Sequence, residues 1–263
     1  MWFDAGVNLT NKRLLSDLDG VMARAEQANV QKQLIISTSI EEAEQAVKLC
    51  QQFPDKLLMT VGIHPHDAGE VSANYKKQLR ELAGQPCVVA IGECGLDFNR
   101  NFSPRDAQEK VFVAQIELAN ELNLPLYLHE RDAIDRQIEL LNQYCDDSTP
   151  CLTHCFTGGA EALNRYAERG HWFGITGWVC DERRNQELVS ALPYLPLNRL
   201  VLETDAPFLL PRGLKPRPKM NEPALLPVVG EALANYLEVS VQHLAELTYA
   251  NTERFFGLGE NSD

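Results

Sequence analysis

The stretch VVAIGECGLDFNRNFSPRDAQEKVFVAQIELANELNLPLYLH, residues 88–129, decides how the chain folds. It opens on the apolar run VVAIGE (88–93), which lacks the alternation of a half-wet strand and suits a parallel strand buried on both faces. Ser103 and Pro104 stand before Asp106, as at a helix start, and RDAQEKVFVAQIELANELN (105–123) carries a helical pattern. A second apolar run, LPLYLH (124–129), follows. Strand, helix and strand in this order form a βαβ unit with a right-handed crossover.

The unit repeats outward in both directions. Apolar runs recur roughly every 25–30 residues: 2–9, 33–38, 57–64, 88–93, 124–129, 150–155, 172–177 and 200–204. Helical patterns lie between them, among them 11–28, 39–53 and 131–144, and Ser39 ahead of Glu41 and Glu42 reads as a capped start. Two more helical segments, about 223–237 and 239–250, close the chain. Eight βα units predict an α/β protein with a (β/α)8 TIM-type barrel, residues 1–263 forming one domain. The rival is an open doubly wound sheet, but no GxGxxG or GxxxxGK[ST] glycine loop is present.

Length and composition agree. A chain of 263 residues, 44% hydrophobic, matches the roughly 250 residues of one such barrel. Its net charge of −13 argues against broad non-specific nucleic-acid binding, which wants a basic face. No apolar run approaches the roughly 20 residues of a membrane helix, and MWFDAGVNLT has no signal-peptide pattern, so a cytoplasmic protein without a membrane partner is expected; a monomer is expected too, although no stretch carries an oligomer signal. Seven cysteines, an odd number in a chain of this size, read as reduced thiols rather than a disulfide framework.

Polar residues gather where the apolar runs end. The third run ends in Gly62-Ile63-His64-Pro65-His66 and the fourth in Gly92-Glu93-Cys94-Gly95-Leu96-Asp97. The fifth ends in His129, the sixth in His154, and the eighth in Glu203-Thr204-Asp205. Parallel barrel strands bring their C-terminal ends to one rim, where the active sites of this architecture lie. Two imidazoles and two carboxylates there, Glu93, His129, His154 and Asp205, match a divalent-cation site. Glu203 reads either as a carboxylate orienting a ligand histidine or as a structural ion-pair member. His64 and His66 could grip a phosphate, orient a ligand or belong to a second metal site, with a substrate-side role favoured over a structural one for His64, whereas His171, at a strand start, and His243, inside a helix, read as structural.

Local positive charge also follows strand ends. Arg212, Lys215, Arg217 and Lys219 fall in the loop 211–223, and Arg100, Arg131, Arg183 and Arg184 follow earlier runs. Such a rim could gather phosphates, with Arg131 the candidate contact, and Trp178 and Phe208 could stack on bases. For any one of these residues a solvated or locally packed side chain is the simpler reading.

Together the stretches GIHPHD (62–67), AIGECGLDFNR (90–100), LHERDA (128–133), THCFTG (153–158), GITGWVCDERR (174–184), LETDAPFL (202–209), NEPA (221–224) and ANTERFFGL (250–258) resemble the TatD family of metal-dependent deoxyribonucleases, within the amidohydrolase-like barrels. The resemblance covers almost the whole chain. It implies magnesium-dependent hydrolysis of DNA phosphodiesters, with manganese or zinc as other ions. It implies 3′→5′ exonuclease action on single-stranded DNA, extending to RNA, in DNA repair or degradation. Carried over, Glu93, His129 and His154 look like metal ligands, and Asp205 looks like the acid that binds metal and activates water. Glu93 and Asp205 are then the catalytic pair, with His64, His66 and Arg131 on the substrate side.

One position departs from the family pattern. Many members begin with an H-x-H pair on the first strand, and this chain has Gly6 and Asn8 there. Glycine offers no ligand and an amide is weaker than imidazole, so a single well-held ion, or a second recruited partly by substrate phosphate, is expected. Two other functions remain on the sequence alone. One is a hydrolase of small amides, lactones or tRNA-linked acyl groups, since this architecture serves those too. The other is an adaptor with a decayed site.

Overall fold

Each of the eight apolar runs overlaps a β-strand, and helices separate the strands. The computed structural model describes residues 1–258. In chain order the elements are β1 (Trp2–Val7), α1 (Lys12–Leu15), α2 (Leu18–Gln27), β2 (Val30–Ile35), α3 (Ile40–Gln52), β3 (Leu57–Val61), α4 (Tyr75–Ala83) and β4 (Val88–Asp97). There follow α5 (Arg105–Leu122), β5 (Leu126–Arg131), α6 (Ile134–Tyr144), β6 (Cys151–Thr153), α7 (Ala160–Glu168), β7 (Trp172–Ile175), α8 (Gln186–Ala191), β8 (Leu200–Leu202), α9 (Leu226–Leu237) and α10 (Val241–Phe255). By contact the chain divides into two units, Ile35–His154 and the remainder.

In the unit Ile35–His154, β3, β4, β5 and β6 pair in parallel. All ten residues of β4 are buried. The helices turn apolar stripes inward, as Ala43, Ala46, Leu49 and Cys50 do on α3. The Ser39 hydroxyl accepts the Glu42 N–H at 3.2 Å, the cap read from the sequence. Ser103 does something else: it leaves the start of α5 uncapped, accepts the Gly69 N–H at 2.8 Å and donates to the His66 carbonyl at 2.6 Å. Its hydroxyl faces the Gly69 N–H and the His66 carbonyl, so the residue pins a loop instead of a helix.

Buried glutamines on the helices hold the strand ends. Gln115 on α5 is fully buried; its Oε1 accepts the Ile63 N–H at 2.8 Å and its Nε2 donates to the Ile63 carbonyl at 3.1 Å. Gln108 treats Asp97 the same way, accepting its N–H at 2.9 Å and donating to its carbonyl at 3.1 Å. Gln137 on α6 accepts the Leu96 N–H at 3.0 Å. Each amide satisfies buried backbone groups where strand pairing runs out.

The other unit carries β1, β7 and β8, with β7 and β8 parallel. The helical pattern 11–28 is here two helices, α1 and α2, because the Ser16 hydroxyl turns back onto the Arg13 carbonyl at 3.0 Å and Asp17 leaves helical backbone. Buried Asp4 on β1 accepts the Thr204 N–H at 2.8 Å and its hydroxyl at 2.5 Å, which ties β1 to the segment after β8. Asn221 donates to the carbonyls of Thr204 and Phe208, and this ties the end of the long loop read from the sequence to the segment ahead of it. His171 is buried against Tyr166, just ahead of β7, and His243 sits in the first turn of α10, nearer its start than the sequence pattern placed it. Among the described residues no single helix is long and apolar enough to cross a membrane.

Candidate functional site

Glu93 owes its position to glycines. Gly92 and Gly95 have φ of 145° and 139°, a region that side chains rarely adopt. A Cβ on Gly92 would lie 2.2 Å from the Tyr127 carbonyl oxygen, and one on Gly95 2.0 Å from that of His129. The backbones of β4 and β5 therefore approach closely, and the register shifts between Gly92 and Cys94. Glu93 occupies that irregularity, which re-aims its side chain.

Its carboxylate gathers three imidazoles. Glu93 Oε1 lies 3.0 Å from His129 Nδ1, 3.6 Å from His64 Nε2 and 4.0 Å from His154 Nε2. Burial pushes the Glu93 carboxyl up, but His64, the His129 hydrogen bond and His154 together hold it well below the usual carboxylate range. Asp97, four residues on, bridges two rings through Oδ2, 2.8 Å from His66 Nε2 and 3.3 Å from His129 Nε2. Burial lowers the His129 pKa, but its hydrogen bonds to Asp97 and Glu93 win and raise it to about 9. Burial takes His64 the other way, to about 3, against the opposing pull of Glu93.

Hydrogen-bond polarity separates these imidazoles. His64 Nδ1 accepts the His66 N–H at 3.1 Å, so a neutral His64 carries its proton on Nε2 and is a donor there. His154 Nδ1 lies 2.8 Å from the Tyr127 hydroxyl, a contact that fixes the orientation of the ring. Ligand atoms of His64, Glu93 and His129 lie within 4.8 Å of one another, a grouping that could hold a metal ion. One ionised carboxylate beside imidazoles is a donor set for a divalent cation.

One unit thus brings together His64, His66, Glu93, His129 and His154. Arg131 ends β5, exposed, and its carbonyl accepts the Phe98 N–H at 2.9 Å. Asp205 belongs to the other unit. It takes left-handed backbone, φ 53°, bonds its N–H to the Gly6 carbonyl at 2.8 Å, and accepts from Asn8 Nδ2 at 2.8 Å. Glu203, fully buried, accepts the Cys155 N–H at 2.9 Å. Asp181 accepts from Arg183 and Arg184, and Arg184 stacks 4.1 Å over Trp178. The Arg183 hydrogen bond foremost holds the Asp181 carboxyl well below its usual range, so two of the rim arginines are partly neutralised.

Sequence reasoning assigned no role to Asp97 or Tyr127. Asp97 had a signal: an even spacing from Glu93 on one strand puts both on one face. Tyr127 had none, since it stands inside an apolar run.

A family model described as "TatD related DNase" matches residues 3–257. The chain is 47% identical over 258 residues to the 3′-5′ ssDNA/RNA exonuclease TatD of Shigella flexneri serotype 5b, covering 97% of this chain and 99% of that one. It is 46% identical over 258 residues to the protein of the same name in Escherichia coli K12, with the same coverage. Among solved structures, a TatD family hydrolase of Entamoeba histolytica matches with TM-score 0.89 at 23% identity, and the TatD homologue YjjV of Escherichia coli K12 with TM-score 0.89 at 26%. Each match covers 98% of both chains. The fold is the expected TIM-type barrel architecture of eight parallel strands.

Proposed function

The chain belongs to the family of TatD-related DNases, and from that membership we propose that it is a metal-dependent nuclease that removes nucleotides 3′→5′ from single-stranded DNA, and from RNA. The observation that carries this reading is the Glu93 carboxylate among His64, His129 and His154. We assign the cation to Glu93, His129 and His154, with Asp205 in the metal-binding and proton-accepting role that the family resemblance implies. A bound divalent ion would supply positive charge to phosphoryl oxygens and acidify water. Magnesium is the ion the family resemblance implies; the imidazoles suit zinc, and the carboxylates suit manganese as well.

The chain's own groups do the rest. His64 offers its Nε2–H to a non-bridging phosphate oxygen, where charge grows during hydrolysis. Asp97 holds the rings of His66 and His129 in place. Water adds to phosphorus in line with the departing ester oxygen, its proton passing to Asp205 as the P–O bond breaks. Within its own unit Asp205 is aimed by left-handed backbone and the Asn8 amide. Arg131 is exposed for a phosphate further along the strand.

The test is digestion of a labelled single strand with magnesium, manganese or zinc, comparing wild type with Glu93→Ala. Loss of at least 100-fold in rate is expected, as for removal of a principal electrostatic group. Equal rates would overturn the assignment. A panel of amides and lactones run in parallel should show no turnover.

A further inference from the structure

At 68%, Phe102 is the most exposed large apolar side chain among the described residues. Its ring meets the His66 ring edge-to-face at 4.7 Å, and His66 in turn meets His64 at 4.2 Å. A phenyl group left in water costs free energy, and a mobile loop would let it fold away. This loop is held. Asp97 Oδ1 accepts the N–H groups of Asn99 at 3.1 Å and Arg100 at 2.8 Å. Asn101 takes left-handed backbone, φ 48°, and its amide donates to the Phe98 carbonyl at 2.5 Å. Ser103, 2% exposed, is tied to His66 and Gly69. Phe102 therefore stands fixed and uncovered between two anchored neighbours.

We propose that Phe102 is the stacking platform of a nucleobase subsite, which takes the base of the terminal nucleotide of a single strand. The proposal deepens the nuclease reading and rests on it. An aromatic face is the recognition chemistry for bases without sequence preference. The subsite lies one ring contact from His66, within the reach of a sugar from a phosphate held at His64. Asp97 serves both places, orienting two imidazoles through Oδ2 and fixing the loop through Oδ1. Arg100 and Arg131 are exposed beside it, with no ion-pair partner among the described residues, and suit the following phosphates. A base buried in a duplex stack cannot reach such a platform without unpairing, so the subsite selects single-stranded ends.

The experiment measures KM and kcat on two single-stranded oligonucleotides, one ending in a natural 3′ nucleotide and one in an abasic 3′ nucleotide. Wild type, Phe102→Ala and Phe102→Trp are compared. On the natural end Phe102→Ala should raise KM roughly 5- to 100-fold, the range for loss of one base–aromatic stack, with a smaller change in kcat, and Phe102→Trp should stay near wild type. On the abasic end wild type and Phe102→Ala should agree within about twofold, because no base remains to lose. Equal KM values on the natural end, or the same penalty on both ends, would overturn the subsite while leaving the nuclease reading intact. A wild type that cuts neither oligonucleotide would bring down both.

Discussion

Asn8 Nδ2 donates to Asp205 Oδ1 at 2.8 Å, so an amide stands against the Asp205 carboxylate on the strand where many family members carry a histidine pair. The contact explains how a chain with Gly6 and Asn8 keeps Asp205 aimed. An amide is a weaker ligand than imidazole, but it can fix a carboxylate rotamer. Backbone pairing between the Asp205 N–H and the Gly6 carbonyl supports the same geometry.

Removing that donor tests its worth. A hydrogen bond to a charged group contributes about 1.5–3 kcal/mol, so Asn8→Ala should lower kcat about 10- to 100-fold with little change in KM. Steady-state kinetics on a single-stranded oligonucleotide check this. An unchanged kcat would mean that Asp205 needs no help from Asn8.

Asp97 orients rings that it does not share with the substrate. Asp97→Asn leaves one acceptor oxygen where two are used, so an NH2 group faces either the two imidazoles or the N–H groups of Asn99 and Arg100. Loss of such an orienting carboxylate costs about 10- to 100-fold in metal affinity. Calorimetric titration with manganese should read that weakening, and wild-type affinity in the variant would refute the orienting role.

Asp4, hydrogen-bonded to Thr204 beside Asp205, gives a pH signature. Burial raises its pKa from 3.8 to about 7, against hydrogen bonds from Thr204 that pull it down. The folded protein thus keeps a proton that the unfolded chain releases. Stability from this group is complete below about pH 4, falls as pH rises to about 7, and is level above that. Asp4→Asn copies the donor and acceptor of the protonated carboxyl and cannot titrate. Urea midpoints of wild type should therefore drop relative to Asp4→Asn between pH 4 and 7, and parallel curves would show that Asp4 is ionised throughout.

The sequence by itself determined the order of elements, because strand burial and helical periodicity are local patterns. The α3 start at Ser39 and the span of α5 followed from adjacent residues alone. Glu93, His129 and His154 were legible because each closes an apolar run, and a parallel sheet has one rim for such residues. Only the tertiary structure decided what surrounds them. Ser103 reads locally as a helix start, yet its hydroxyl serves His66, 37 residues away. Tyr127 reads as core, yet its hydroxyl meets the His154 ring. Phe102 reads as an ordinary loop aromatic until its exposure and its contact with His66 are seen. Hydrogen-bond partners and exposure are set by chain segments distant in sequence, and no local periodicity encodes them.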